Sequence, residues 1–166
     1  TKYLIELGHK HIAGAFKADD QQGQNRHKGY VRALQEAGMP YDPDMVVWFY
    51  TEDRKIHPYE GIQNIAKNKE LDAVVCYNDQ NAMGVIRALE ALDLKIPDDV
   101  SVTGYDNFYM ANQSDFRLTS IAHPQEKLGE MAAELLLDLV VNGENSEKQK
   151  IMIEPELVEG TSCKRR

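Results

Sequence analysis

The chain has 166 residues, which is enough for one ordinary domain with a single hydrophobic core. Its hydrophobic fraction of 42% and charged fraction of 28% are typical of a globular protein, and no apolar run approaches the roughly 20 residues that span a bilayer. The formal net charge of -8 argues against this chain as a nucleic-acid-binding surface, because phosphate groups are bound by clustered Lys and Arg.

The first predicted elements are helix, strand and helix. Tyr3–Leu7 has the pattern of a helix end that Gly8 closes, and His11–Phe16 is a short apolar run that predicts a buried strand. Arg26–Ala37 repeats apolar residues at the helical period of about 3.6 residues, and Gly38 stands where helices commonly end.

The same alternation continues through the middle of the chain. Met45–Tyr50 is a β-branched and aromatic run, and Tyr59–Lys67 follows with helical spacing. Ala73–Tyr77 predicts a further strand, Asn81–Leu92 a helix with one continuous apolar face, and Val100–Tyr105 a fourth strand. Strands that are almost continuously apolar are buried on both faces. The pattern therefore predicts an α/β fold with a doubly wound parallel sheet.

The pattern changes after residue 106. Asn107–Arg117 is polar and irregular, Leu118–Ala122 is a short extended segment before a proline, and Gln125–Val141 predicts a long helix. Asn142–Lys150 is a charged loop. Two short strands near a sheet edge are predicted on either side of a proline, at Ile151–Glu154 and Glu156–Val158.

The sequence has no recognisable catalytic, metal-binding or cofactor-binding motif. There is no G-x-S-x-G, P-loop or G-x-G-x-x-G after a strand. His9 and His11 flank a helix-to-strand turn, where two His at this spacing more often cap the turn or face solvent than bind a metal. Cys76 and Cys163 lie far apart without metal-ligand spacing, and Cys76 falls in an apolar strand where a thiol acts as a small hydrophobe. The sequence thus indicates a protein without catalytic residues, metal or cofactor, in a reducing, cytoplasmic setting.

Polar residues follow three of the predicted strands. They are Lys17–Asp20 after the first strand, Asn78–Asp79 after the third and Asp106–Asn107 after the fourth. In open parallel sheets, ligands bind beyond the carboxyl ends of the strands. Carboxylates and amides at these ends are suited to the neighbouring hydroxyl groups of a sugar.

A structural interpretation of the same residues stays open, because Asp and Asn at strand ends often cap the next helix. Asp79 fits the cap of the helix that begins at Asn81, whereas Asn78 and Asp106 fit a cap less well. Arg26 begins a predicted helix, where the helix dipole disfavours a cation, and lies close to the Lys17–Asp20 loop, so it is a candidate for ligand contact.

Five segments together resemble the LacI/GalR-type transcriptional repressors over nearly the whole chain. They are LIELGHKHIA (Leu4–Ala13), NRHKGYVRALQEAGM (Asn25–Met39), DAVVCYNDQNAMGVIRALEALDLKIPDDVSVTGYDN (Asp72–Asn107), LTSIAHPQEKLGEMAAELLLDLV (Leu118–Val140) and IEPELVEGTS (Ile153–Ser162). Within that family, FKADDQQG and CYND are similar to members of the arabinose-repressor type (AraR-like). That type joins the sensor to a winged-helix DNA-binding domain.

This resemblance implies a periplasmic-binding-protein-like (type I) fold of two lobes with a sugar in the cleft between them. It implies sugar contacts by Lys17, Arg26, Asn78, Asp106 and His123. Arg26 corresponds to an arginine three residues before the family's glycine, here Gly29, and His123 stands where many members have Gln. Lys17 is implied only by the arabinose type, and GYDN in place of GYDD keeps Asp106 but weakens the case for Asn107.

The resemblance also implies a domain division. Residues 15–122 correspond to the C-terminal lobe, residues 1–14 to a remnant of the N-terminal lobe, and residues 123–166 to its returning helix and strands. Most of the N-terminal lobe and the DNA-binding domain are absent from this sequence. The Gln125–Val141 helix should then expose part of its apolar face and favour self-association or mobility. Half a cleft should bind sugar weakly.

The sequence thus predicts the ligand-sensing part of a sugar-responsive repressor, with L-arabinose favoured as effector. The expected partners are the sugar, operator DNA through a separate N-terminal domain, and a second copy in a homodimer, with no membrane. A sugar-binding receptor of a transport system is the alternative that shares the fold, and an enzyme is the third interpretation.

Overall fold

A computed structural model describes residues 1–108, 116–143 and 150–166. Its helices are α1 Lys2–Glu6, α2 Gln21–Glu36, α3 His57–Asn68, α4 Asp79–Glu90 and α5 Gln125–Asn142, with a short 3-10 turn at Pro43–Met45. Its strands are β1 Ile12–Lys17, β2 Val46–Phe49, β3 Ala73–Cys76, β4 Ser101–Thr103, β5 Ser120–Ala122 and β6 Glu156–Val158. The predicted loops at Asn107–Arg117 and Asn142–Lys150 lie largely outside the described residues.

The first four strands form one parallel sheet in the order β2-β1-β3-β4. From β1 the chain moves outward to β2 at one edge, then returns across β1 to β3 and continues to β4. The winding direction therefore reverses between β1 and β3. This is the doubly wound parallel α/β sheet predicted from the sequence, and the prediction is confirmed. A separate antiparallel pair joins β5 to β6.

Both faces of the sheet are covered by helices. Ala13 and Ala15 of β1 pack in a cluster with residues of α3 and α4, whereas Ile12 and Phe16 pack in a cluster with residues of α1 and α2. Alternate residues of a strand point to opposite faces, so burial of both faces requires apolar residues throughout. This explains why the strands appear in the sequence as continuous apolar runs.

Helix α2 begins earlier than the sequence predicts, at Gln21 and not at Arg26. The Asp20 side chain accepts a hydrogen bond of 2.6 Å from the backbone N–H of Gly23 and caps the helix. The first turn, residues 21–25, carries only polar residues and glycine, so hydrophobic periodicity does not reveal it. Arg26 consequently lies in the second turn of α2, where the helix dipole argument for a misplaced cation no longer applies.

The predicted strand at Ile151–Glu154 is wrong. This segment has no regular structure, and only Glu156–Val158 pairs with β5. Its alternating apolar residues have no partner strand, and Met152 is 80% exposed. A strand needs a neighbouring strand to form hydrogen bonds with its backbone N–H and C=O groups, and the local sequence pattern does not show whether such a neighbour exists.

Helix α5 exposes its apolar residues, as predicted. None of its residues is buried, and Leu136 and Leu137 are 62% and 63% exposed.

Among the residues that the structure describes, no helix is both long enough and apolar enough to cross a membrane.

The predicted boundary between residues 14 and 15 falls inside β1. Leu4 is fully buried and belongs to the same hydrophobic cluster as Phe16 and Tyr30. Residues 1–14 therefore share the core of the residues that follow them, and the assignment of segments to two lobes stays a prediction.

Candidate functional site

The carboxyl ends of β1, β3 and β4 lie at one edge of the sheet, next to the point where the winding direction reverses. This edge is where open α/β sheets bind ligands. A connected group of polar and aromatic side chains, which we call the strand-end cluster, lies there. Its members are Lys17, Asp20, Arg26, Tyr77, Tyr105, Asp106 and His123.

One side of the cluster is built around Asp20. Lys17 Nζ lies 3.1 Å from Asp20 Oδ2, and the Tyr77 hydroxyl donates to the same oxygen at 2.7 Å. The hydrogen bond to Asp20 raises the pKa of Lys17. Burial opposes ionisation of Asp20, but the hydrogen bonds from Gly23, Tyr77 and Lys17 outweigh it and lower the pKa of Asp20. Burial and the neighbouring Asp20 raise the pKa of Tyr77 to about 12. Lys17 and Asp20 therefore form an ion pair beside a neutral phenol.

Arg26 lies at the centre of the strand-end cluster. Its guanidinium carbon is 4.5 Å from the ring centroid of Tyr77 and 3.8 Å from that of Tyr105, so the group is held between two aromatic rings. Nη1 donates to the carbonyl oxygen of Tyr77, and Nη2 lies 3.6 Å from Asp106 Oδ1. Only 18% of the side chain is exposed. The guanidinium is thus fixed in position before any ligand arrives.

Asp106 and His123 form the more open side of the cluster. Asp106 Oδ1 lies 3.2 Å from His123 Nε2, and the two side chains are 38% and 41% exposed. The His123 ring packs edge-on against Tyr105 at a centroid distance of 5.0 Å. The backbone N–H of Asp106 donates to the carbonyl of Ile121, which ties the turn after β4 to β5. These contacts place an accessible carboxylate and an accessible imidazole side by side.

The structure corrects the predicted cap of α4. Asn78, not Asp79, is the capping residue, and its side-chain oxygen accepts from the backbone N–H of Asn81 at 3.0 Å. Asp79 is the first residue of the helix and is buried. Because the cap uses the oxygen of Asn78, its amide nitrogen is the group that can bind a ligand. Asn78 and Asp106 both line a cavity of about 670 Å³ next to the strand-end cluster.

Three of the predicted site residues are linked by direct contacts, because Asp106 contacts both Arg26 and His123. Asn78 follows Tyr77, whose carbonyl binds Arg26, and shares the lining of the 670 Å³ cavity with Asp106. Lys17 contacts this group only indirectly, through Asp20 and the Tyr77 hydroxyl.

Sequence reasoning missed the two aromatic residues that hold the arginine. Tyr77 and Tyr105 each stand directly before a predicted site residue, at the end of an apolar strand. An aromatic residue directly before a polar strand-end residue is the feature of the sequence that could have identified them. Only the fold shows that both rings lie against Arg26.

The arrangement offers a donor, an acceptor and an imidazole within a few ångströms of one another. Such a set can bind adjacent hydroxyl groups, which donate and accept at the same time. In the described ranges, no group of three or more His, Cys, Asp or Glu is arranged to hold a metal ion. Cys76 is buried, as predicted, and burial raises the pKa of its thiol.

Comparison with known proteins identifies the family of this chain. Residues 1–163 match the periplasmic binding protein-like domain. The chain is 34% identical over 164 residues to an arabinose metabolism transcriptional repressor of Halalkalibacterium halodurans, covering 95% of this chain and 44% of that protein. It is 38% identical over 164 residues to the HTH-type transcriptional repressor PurR of Photorhabdus laumondii, covering 97% of this chain and 47% of that protein.

Among solved structures, the transcriptional regulator CelR in complex with cellobiose superimposes with a TM-score of 0.84 at 31% identity. The superposition covers 97% of this chain and 49% of that one. The chain therefore spans about half the length of the curated relatives it matches. These relatives confirm the resemblance to LacI/GalR-type repressors and the periplasmic-binding-protein-like fold that the sequence predicts. The chain belongs to the family of periplasmic binding protein-like domains.

Proposed function

We propose that this chain is the effector-binding part of a LacI-type, sugar-responsive transcriptional repressor, and that L-arabinose is its effector. The observation that carries the proposal is the position of Arg26, held between Tyr77 and Tyr105 and facing Asp106 at the strand ends. A fixed planar donor beside a carboxylate acceptor matches two neighbouring hydroxyls of a sugar. The aromatic rings hold the guanidinium in place through its faces, so they take up none of its N–H donors.

The charge balance of the site supports an uncharged ligand. Lys17 is paired with Asp20 at 3.1 Å and lies 3.6 Å from Asp19, and Arg26 faces Asp106. An anionic ligand would compete with these carboxylates for both cations. The proposal therefore specifies a neutral polyhydroxylated molecule and not a sugar phosphate.

The choice of L-arabinose draws on two further points. The Halalkalibacterium halodurans relative is a repressor of arabinose metabolism. Lys17 and its loop belong to the segment that resembles the arabinose type, and Lys17 is held within the strand-end cluster by its ion pair with Asp20. The relative named PurR shares a higher identity, 38%, so overall identity does not select the ligand and a direct comparison of ligands is needed.

In this proposal the chain acts within a longer protein. Residues 15–122 form the C-terminal lobe, and a second lobe closes over the sugar. Lobe closure couples effector binding to operator binding, because the two ligands favour different global states. A separate domain binds DNA, which agrees with the net charge of -8 on this chain. The full protein acts as a homodimer in the cytoplasm, where the operator is, and carries out no reaction.

The family match by itself favours a second candidate, a sugar-binding receptor of a transport system. Such a receptor shares the fold and a hydroxyl-binding site, and fold alone does not assign function. The two candidates differ in one consequence: only a repressor changes its affinity for DNA when the sugar binds.

The test is a calorimetric titration of the full-length protein with L-arabinose, D-ribose, D-glucose and ribose 5-phosphate, followed by DNA binding with and without the sugar that binds. The expected result is saturable binding of L-arabinose, no binding of the phosphate ester, and release of the protein's own promoter DNA by L-arabinose. Tighter binding of ribose 5-phosphate would overturn the neutral-ligand argument. Sugar binding without any effect on DNA would favour the transport receptor.

A further inference from the structure

Asp79 is a buried carboxylate that the proposed sugar contacts do not use. It is only 2% exposed, yet both of its oxygens accept hydrogen bonds: Oδ1 from the Ser120 hydroxyl and Oδ2 from the backbone N–H of Phe108, each at 2.6 Å. Its own N–H donates to the carbonyl of Tyr105 at 2.9 Å. The Ser120 hydroxyl oxygen in turn accepts from the N–H of Asn107 at 3.1 Å. Asp79 and Ser120 therefore bind the backbone on both sides of Asp106.

The backbone between these anchor points has an unusual conformation. Asp106 has φ of 101° and Asn107 has φ of 49°, values that residues with a Cβ rarely adopt. Such conformations persist where the surrounding structure imposes them, and they occur preferentially at binding sites. The hydrogen bonds to Asp79 and Ser120 supply that constraint on the turn that carries Asp106.

A glycine next to the carboxylate makes the approach of Asp79 possible. A Cβ at Gly104 would overlap Oδ1 of Asp79 and lie 3.1 Å from its Cγ. The start of α4, the turn after β4 and the first residue of β5 thus meet at one buried carboxylate.

We propose that Asp79 is a positioning residue for the effector site. Acting with Ser120, it holds the turn so that the Asp106 carboxylate faces Arg26 and His123. The inference rests on the proposed sugar-binding function and adds a residue that does not touch the sugar.

The hydrogen-bond pattern explains why a carboxylate is needed. Two donors, the Ser120 hydroxyl and the Phe108 N–H, converge on the two oxygens of Asp79. Asparagine has the same shape but only one acceptor oxygen, so one of these contacts would face an N–H₂ group. Loss of a hydrogen bond to a charged group corresponds to a change of roughly 10- to 100-fold in an equilibrium.

The experiment compares Asp79→Asn, Ser120→Ala and the double variant in the full-length protein. Each single variant should raise the Kd for L-arabinose roughly tenfold or more. The Kd of the double variant should not exceed the higher of the two single-variant values, because both residues act through one set of contacts. Glu60→Gln is the matched control, since Glu60 is an exposed acidic residue in the first turn of α3. Its Kd should stay within about twofold of wild type.

Amide hydrogen exchange in the absence of sugar supplies an independent measurement. Asp79→Asn and Ser120→Ala should accelerate exchange at Asn107 and Phe108 roughly tenfold, while exchange at Val74 in the central sheet stays unchanged. Equal acceleration at Val74 would show a general loss of stability and overturn the positioning role. A Kd for both variants close to that of wild type would also overturn it. If the wild type binds no sugar, the proposed function fails, and unchanged exchange at Asn107 and Phe108 would still refute the constraint on the turn.

Discussion

Replacement of Gly104 by alanine should destabilise the protein far more than an ordinary glycine-to-alanine change. The new methyl group would overlap Asp79 Oδ1 and lie 2.7 Å from Cδ2 of Leu118, against the 3.4 Å at which ordinary van der Waals contact begins. Asp79 and Leu118 are 2% and 1% exposed, so neither side chain can move aside into solvent. Relief requires a shift of the backbone or of the buried carboxylate.

The expected loss follows from two contributions. Insertion of a methyl group into a filled core typically costs about 1–3 kcal/mol. A shift of Asp79 weakens the hydrogen bonds that its buried carboxylate accepts from Ser120 and Phe108. This weakening adds about 1–3 kcal/mol to the loss. The free energy of unfolding should therefore fall by about 2–6 kcal/mol, a large part of the roughly 5–15 kcal/mol that holds typical domains folded.

The assay is urea unfolding followed by the fluorescence of Trp48, which is the single tryptophan of the chain. Gly84→Ala is the matched control, because a Cβ at Gly84 in α4 would meet no atom within 4 Å. That variant should gain about 0.5–1 kcal/mol from helix propensity. A loss below about 1 kcal/mol for Gly104→Ala would refute the packing argument.

Three further results are expected. The isolated chain should self-associate as its concentration rises, because α5 exposes its apolar face. In sedimentation velocity, Leu136→Glu should shift the chain to monomer, and a wild-type chain that stays monomeric at high concentration would contradict this. The pKa of Asp20 is lowered from its ordinary value of 3.8, so its ionised form stabilises the fold above that pH and this contribution is lost as pH falls through the lower folded value. Asp20→Asn, which keeps a capping side chain, should therefore reduce the unfolding free energy near neutral pH and much less once the pH is below the lowered folded pKa of Asp20. An equal reduction at both pH values would count against the ion pair. His123→Gln retains a hydrogen-bonding group near Asp106 and should change the calorimetric Kd for L-arabinose by less than about threefold, whereas His123→Leu should weaken binding roughly tenfold; equal effects of both changes would exclude a polar role for His123.

The sheet and its helices could be predicted because burial of both faces leaves a strong local signal. In the run Ala73–Cys76 both sides of the strand are buried and every residue is apolar, whereas in α4 the apolar residues lie on the one face that is buried. Helix starts were harder to predict. Asn78 and Asp79 are both common capping residues, and the choice between them depends on Ser120 and Phe108, which are distant in sequence.

The site could be predicted in part for a related reason. Polar residues at strand ends identify Asn78 and Asp106 from topology alone. The two rings near Arg26 belong to Tyr77, directly after β3, and Tyr105, just beyond β4. They lie about 50 and 80 positions further along the chain than Arg26, and no local pattern links them. The position of Arg26 beside the Lys17–Asp20 loop made it a candidate, and the resemblance to a family implied its sugar contact, whereas its geometry depends on the assembled sheet.

The central claim is that a sugar binds at the strand-end cluster through Arg26, and a pair of variants on one helix tests it most directly. Lys28 also lies on α2 and is exposed, and it stands two residues after Arg26, so it points to a different side of the helix. In calorimetric titrations of the full-length protein with L-arabinose, Arg26→Ala should weaken binding roughly 100-fold or more, and Lys28→Ala should stay within about twofold of wild type. Equal affinity of both variants and the wild type would contradict the account and place the sugar elsewhere.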